Sequence, residues 1–256
     1  MPFVRFHLLV TGKGERDFIG RLLGAVVEGH AAAFMRPEFV GQWTTGQQSR
    51  KELKVTGTLK HIPTEFERKV TLQTAQWLRK DPDCFVLLID DLEHSRAPAA
   101  QEVFAYYRSA LDKALGEDDD PKRRASVHFL VNMLEAYYFA HPEAVNQVLG
   151  TSLTEPTDDV EKIRHPKNDL KNLRVGFDER EHGEEIVVQL DLDKVLDDPE
   201  TCRSLRTLIA WCTDRLGGEF STRWRLSDGE FYPLTCGQIP SPPSPPCDHA
   251  PPRRAG

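Results

Sequence analysis

Short continuous apolar runs alternate with amphipathic stretches along the chain. Residues 3–10, FVRFHLLV, are rich in β-branched and aromatic side chains and read as a strand ended by the turn Thr11-Gly12-Lys13-Gly14. In residues 15–29, Phe18, Ile19, Leu22, Leu23 and Val26 recur at helical spacing, and Gly29 is a stop signal. Glu15 and Asp17 fall in the first turn, where carboxylates complement the positive end of the helix dipole. The polar region from Phe39 to His61 reads as a strand or hairpin followed by a mobile loop. Thr64 and Glu67 have capping-box spacing at the head of a helix through about Arg79. CFVLLI (84–89) has the length and continuity of a strand buried on both faces, as in a parallel sheet, and it stops at Asp90-Asp91-Leu92-Glu93.

A third helix is expected over about 98–115, then an acidic loop, a basic step at Lys122, Arg123 and Arg124, and a strand over SVHFLV (126–131). Residues 132–150 read as a helix interrupted near Pro142. This β-α-β-α order predicts an α/β protein with a mostly parallel sheet flanked by helices. Residues 151–200 are polar, with a strand-like run IVVQLDL (186–192). A last amphipathic helix carries Leu205, Leu208, Ile209, Cys212 and Leu216 on one face and ends at a double glycine. The expected organisation is a core over 1–150, an α+β extension packed on it over 151–218, and a Pro-rich disordered tail over 219–256.

With 256 residues, 39% of them hydrophobic, the chain is long enough to bury a sizeable core. No stretch approaches the roughly 18 apolar residues that span a bilayer. The amino-terminal segment lacks the features of a signal peptide, so a cytoplasmic location without membrane attachment is expected. Five cysteines without a CxxC pair argue against a disulfide framework or a cysteine zinc site. A net charge of −7 argues against coating nucleic acid by bulk electrostatics. It leaves room for an acidic metal site whose charge bound cations offset.

Candidate chemistry concentrates at strand ends, where ligands bind in open α/β sheets. The cluster Asp90, Asp91 and Glu93 offers the oxygen ligands that Mg²⁺ or Mn²⁺ prefer, and it also fits a polar turn with Asp91 capping the next helix. Glu15 is a second acidic point beside a glycine turn that lacks P-loop spacing. Glu135, followed by Ala-Tyr-Tyr-Phe-Ala, lies near apolar surface where an unpaired charge is expensive. It is expected to meet a cation, a metal or a capped amide, or to serve as a helix N-terminal acid. His165-Pro166-Lys167 reads either as a phosphate-gripping loop or as a solvated one. No HExxH or GxSxG motif occurs.

Three segments together resemble the Toprim fold, and more narrowly a Toprim-like family encoded beside ATPases in bacterial defence islands. They are Val10-Thr11-Gly12-Lys13-Gly14-Glu15 against VEGxTE, the D-D-x-E of residues 90–93 against D-x-D, and Glu135 to Glu143 against E-A-W-L-x-A-D-x-E, with Pro166-Lys167 following. The resemblance runs from about residue 3 to Gly217. It implies an Mg²⁺- or Mn²⁺-dependent nuclease or phosphodiesterase, a partner ATPase in anti-phage defence, and nucleic acid as a possible substrate. Glu15, Asp90, Asp91 and Glu93 would hold the metal. Glu15, Asp91, Glu93, Glu135 and Lys167 would form the catalytic set, with Lys13 and Arg96 also neutralising phosphate. The first acid of VEGxTE is Thr11 here, and a hydroxyl cannot replace a carboxylate as base or strong metal ligand. The alternatives are a catalytically degenerate Toprim module that docks on or regulates an ATPase, and a small phosphatase with Asp90 or Asp91 as nucleophile.

Overall fold

The aliphatic run beginning at Cys84 forms the centre of a parallel sheet, described here from a computed structural model over residues 2–43, 52–55, 58–61, 64–115, 123–217 and Trp224. The chain opens with β1 (Val4–Val10), α1 (Lys13–Leu22), the single turn α2 (Gly24–Val27), β2 (Ala32–Phe34) and β3 (Glu38–Phe39). The hairpin β4 (Glu52–Val55) and β5 (Thr58–His61) precedes α3 (Glu65–Lys80), β6 (Cys84–Leu92) and α4 (Ala100–Leu115). After β7 (Ala125–Val131) come a 3₁₀ stretch Leu134–Ala140, α5 (Pro142–Leu149), α6 (Pro166–Leu173), α7 (Glu181–Gln189), α8 (Leu192–Val195) and α9 (Arg203–Arg215).

The main sheet has the order β2-β1-β6-β7, with β3 also on β1, and each pairing is parallel. Parallel pairing brings the carboxyl ends of β1, β6 and β7 to one edge. Val10 lies opposite Ile89, and Asp91 opposite Leu130, so the loops leaving the three strands share a rim. Helices cover both faces, as the β-α alternation predicts. On one face Phe6, Leu8, Leu87, Ile89 and Leu130 pack with α1 and α9. On the other, Leu9, Val86, Leu88 and Phe129 pack with α3 and α4. Each fully buried side chain of this kind contributes roughly 1.5–3 kcal/mol, which sustains a rim carrying several buried charges.

The capping box of α3 is present in both directions, Thr64 accepting from the Glu67 amide and Glu67 from the Thr64 amide. Two expectations need correction. β6 does not stop at Ile89: it stays paired with β7 through Leu92, so Asp90 and Asp91 are strand residues and not part of a turn. Residues 186–189 are the last turn of α7, not a strand. The Asp178 carboxylate accepts from the amides of Arg180 and Glu181 and starts that helix. Ile186 and Val187 are then buried while Val188 faces solvent, a helical pattern that a short β-branched run conceals. The loop expected after Phe39 falls largely outside the described residues, as do the acidic loop 117–120 and the Pro-rich tail.

The carboxy-terminal extension shares the α1 core through Leu205, Leu208, Ile209 and Cys212, and two buried charges fix it there. Cys202 precedes α9 with φ of 61° and offers no side-chain cap. Glu161 does that work from outside, accepting from the amides of Ser204 and Leu205, from Ser204 Oγ and from the Tyr137 hydroxyl. Arg206 is 0% exposed, and its guanidinium donates to the carbonyls of Thr201, Leu196, Asp198 and Trp224. Arg206→Met keeps most of the unbranched stem but leaves those carbonyls unpaired. Urea denaturation should show a loss of about 3 kcal/mol or more; an unchanged midpoint would contradict the anchoring role.

Candidate functional site

Because β6 is pleated, Asp90 and Asp91 leave it on opposite faces. Asp90 follows Leu88 toward α4 and is 0% exposed. Arg96 meets it with two nitrogens, at 2.9 Å to Oδ1 and 3.0 Å to Oδ2, while the Tyr107 hydroxyl and the Thr11 hydroxyl donate to Oδ2. Both oxygens of Asp90 are thereby engaged inside the protein. Burial, then the Asp90 charge, holds the Tyr107 phenol protonated far above the usual tyrosine range. Arg96 Nη2 also donates to the Trp43 carbonyl, and the Trp43 amide donates to Tyr107.

Asp91 emerges on the α1 side with little comparable compensation. Gln42 Nε2 donates to its Oδ1 at 2.5 Å, and the Thr11 hydroxyl, mainly directed at Asp90, lies 3.4 Å from the same oxygen. Among the described residues no donor meets Oδ2. Glu15, on the first turn of α1, is 2% exposed and its Oε2 is buried without a hydrogen-bond partner. Gly12 shows how close the two carboxylates come. A methyl group on Gly12 would overlap Glu15 Oε2 and lie 2.8 Å from Asp91 Oδ2. The turn needs glycine because two carboxylate oxygens face the space a Cβ would fill.

Burial, then repulsion from Asp91 and Glu135, raises the Glu15 carboxyl well above its ordinary range. Burial, then the charge of Asp90, pushes Asp91 up to about 7, against a downward pull from the Gln42 hydrogen bond. Two such groups facing each other titrate as a pair. A carboxyl near 7 suits proton transfer at neutral pH, and a cation placed between the pair would displace its shared proton.

Glu135, in the 3₁₀ stretch after β7, is buried against the same cleft and has a cation beside it. Lys167 Nζ lies 3.4 Å from Glu135 and 3.2 Å from Glu179, which also receives Lys171. Burial raises the Glu135 carboxyl, and Lys167 opposes that shift. The cation expected beside Glu135 is therefore this lysine. Glu93 lines the cleft half-buried, and Lys13 lines it exposed. The cleft has a volume of about 980 Å³, and Arg16, Arg36 and Arg180 also border it. His165 lies outside it, its ring 6.1 Å from that of His94.

Of the residues singled out in the sequence, Glu15, Asp91, Glu93, Glu135, Lys167 and Lys13 meet at this cleft, while Asp90 and Arg96 are spent on each other beneath it. Gln42, Tyr107 and Glu179 were not legible: each belongs to a polar or helical stretch with no spacing signal. Tyr107 alone carried a hint, as a hydroxyl on the helix that follows the acidic strand end.

Among the described residues no three His, Cys, Asp or Glu side chains enclose a metal site. Glu15 and Asp91 still fit a hard divalent ion, since Mg²⁺ is commonly held by one or two carboxylates with water and substrate phosphate completing the shell. No described helix is long and apolar enough to cross a membrane. Comparison with protein-family models, curated proteins and solved structures found no match.

The raised acid of Asp91 has a consequence for stability. Between the unfolded value near 4 and the folded value of about 7, the folded chain keeps a proton that the unfolded chain releases. Stability is thus fullest below about 4 and declines as pH rises through 7. Asp91→Asn removes the share of this decline that Asp91 contributes. Chemical denaturation should find the variant roughly 2–4 kcal/mol more stable than wild type at pH 8 and nearly equal at pH 4. Equal stability at both would contradict the buried-charge reading.

Proposed function

We propose that this chain is a Toprim-like, Mg²⁺- or Mn²⁺-dependent nuclease or phosphodiesterase. The observation that carries the reading is the buried, unpartnered Oε2 of Glu15 facing Asp91 Oδ2 across Gly12, at the shared carboxyl edge of two adjacent strands. A buried carboxylate pair without a cation is costly, and a divalent ion is the ligand that reverses that cost. The sheet order supports the reading too, because the acid after the first strand and the D-x-E strand end must be neighbours to share an ion.

Glu15 and Asp91 would hold the metal, and Glu93 lines the same cleft. When bound, the ion would polarise a phosphoryl oxygen and offset charge developing during phosphodiester cleavage. Lys167, held by Glu135 and Glu179, together with Lys13, Arg16 and Arg36 around the cleft, would attract and orient the phosphate. Asp90 would serve as the partner that locks Arg96 and Tyr107 and not as a ligand. Action with a partner ATPase in anti-phage defence is proposed on the sequence resemblance, and a cytoplasmic location on the amino-terminal segment's lack of signal-peptide features.

A second reading has an observation of its own. Thr11, at the position of the first Toprim acid, spends its hydroxyl on Asp90 and Asp91, so one expected ligand is absent. That favours a Toprim-fold binding module which docks on an ATPase without cutting. Incubating single-stranded DNA, duplex DNA and RNA with Mg²⁺ or Mn²⁺, with and without the ATPase, separates the two. The nuclease reading expects metal-dependent cleavage that drops about a hundredfold or more in Asp91→Ala and Glu15→Gln. No cleavage under any condition, or undiminished cleavage by the variants, would rule it out.

A further inference from the structure

The segment after β3 contributes a side chain that no motif includes. Val40 donates its amide to the Val10 carbonyl, which ties the strand end to β1. Three residues on, Trp43 is clamped through its carbonyl by Arg96 and through its amide by Tyr107. Gln42 lies between these two restraints, so its backbone is fixed beside the ends of β1 and β6. Its side-chain NH₂, the end of the amide that an ionised carboxylate accepts from, is directed at Asp91 Oδ1.

We infer that Gln42 is a positioning residue for the carboxylate pair, orienting Asp91 so that Oδ1 is occupied and Oδ2 is presented to the space shared with Glu15 Oε2. The inference rests on the metal-site reading proposed above and adds to it a residue outside the acidic set. A carboxylate with neither oxygen engaged rotates freely about its last bond. One held by a donor on a single oxygen presents the other in a fixed direction, which is how outer-shell partners tune ligating carboxylates. Asp90, with both oxygens engaged, shows the contrasting arrangement one residue earlier on the same strand. The clamp on Trp43 links the two, because the Arg96–Asp90 pair that neutralises one aspartate also secures the backbone next to the residue that aims the other.

Calorimetric titration of the full chain with Mn²⁺ tests this, using wild type, Gln42→Met and Gln42→Asn. Methionine keeps the length and removes the donor; asparagine keeps the amide but falls one methylene short. Both variants should bind Mn²⁺ about tenfold or more weakly, with melting temperatures close to wild type. Wild-type Mn²⁺ affinity in either folded variant would overturn the role of Gln42 while leaving the metal site standing. No Mn²⁺ binding by the wild-type chain would instead remove the metal-site reading, and this role with it.

Discussion

Two adjacent aspartates on one buried strand cannot both remain charged without help, and the pleat of β6 separates the help they receive. Asp90 turns toward α4 and is met by a guanidinium with two nitrogens, a phenol and a hydroxyl. Asp91 turns the other way and receives one strong donor, on one oxygen. Had both been compensated, the rim would be an inert ion-pair network. Had neither been, the desolvation of two carboxylates would weigh against the apolar core that supports the sheet.

This division gives the cleft its layered electrostatics. Glu15 and Asp91 converge, buried, above Gly12, while the exposed cations Lys13, Arg16, Arg36 and Arg180 border the cleft together with the exposed acids Asp17 and Glu184. Lys167 bridges the layers, reaching down to Glu135 and across to Glu179 in the carboxy-terminal extension. The extension is therefore part of the site as well as of the core. Its attachment through Glu161 and Arg206 determines where Lys167 and Glu179 stand relative to β7. The cleft thus offers exposed cations beside a buried pair of carboxylates, an arrangement that the proposed divalent ion would complete.

Much of the frame was legible because it rests on local rules. Continuous apolar runs identified β1, β6 and β7, the Thr64–Glu67 spacing identified α3, and the β-α alternation implied a parallel sheet. That pattern alone places Glu15 and Asp91 at one edge of the sheet. What escaped depends on register and on contacts distant in sequence. The sequence places the end of this strand at Ile89 because the pairing of Asp90 and Asp91 with β7 cannot be seen in one segment, so the opposite fates of the two aspartates are hidden. The run 186–192 looks strand-like because its β-branched residues conceal the helical burial pattern of the last turn of α7. Gln42 and Glu179 reach the site from regions without periodicity, and nothing in their neighbours marks them. Thr11 was legible as a departure from the family pattern, but its use as a donor to two aspartates required the fold.

The central claim is that Glu15 and Asp91 share a divalent cation at Gly12. Crystals soaked in Mn²⁺, with data collected at an energy where manganese scatters anomalously, test it most directly. The account predicts an anomalous peak about 2.1 Å from Glu15 Oε2 and Asp91 Oδ2, with Asp90 still held by Arg96. Soaked crystals with no peak in that space, or with manganese bound only elsewhere, would contradict it.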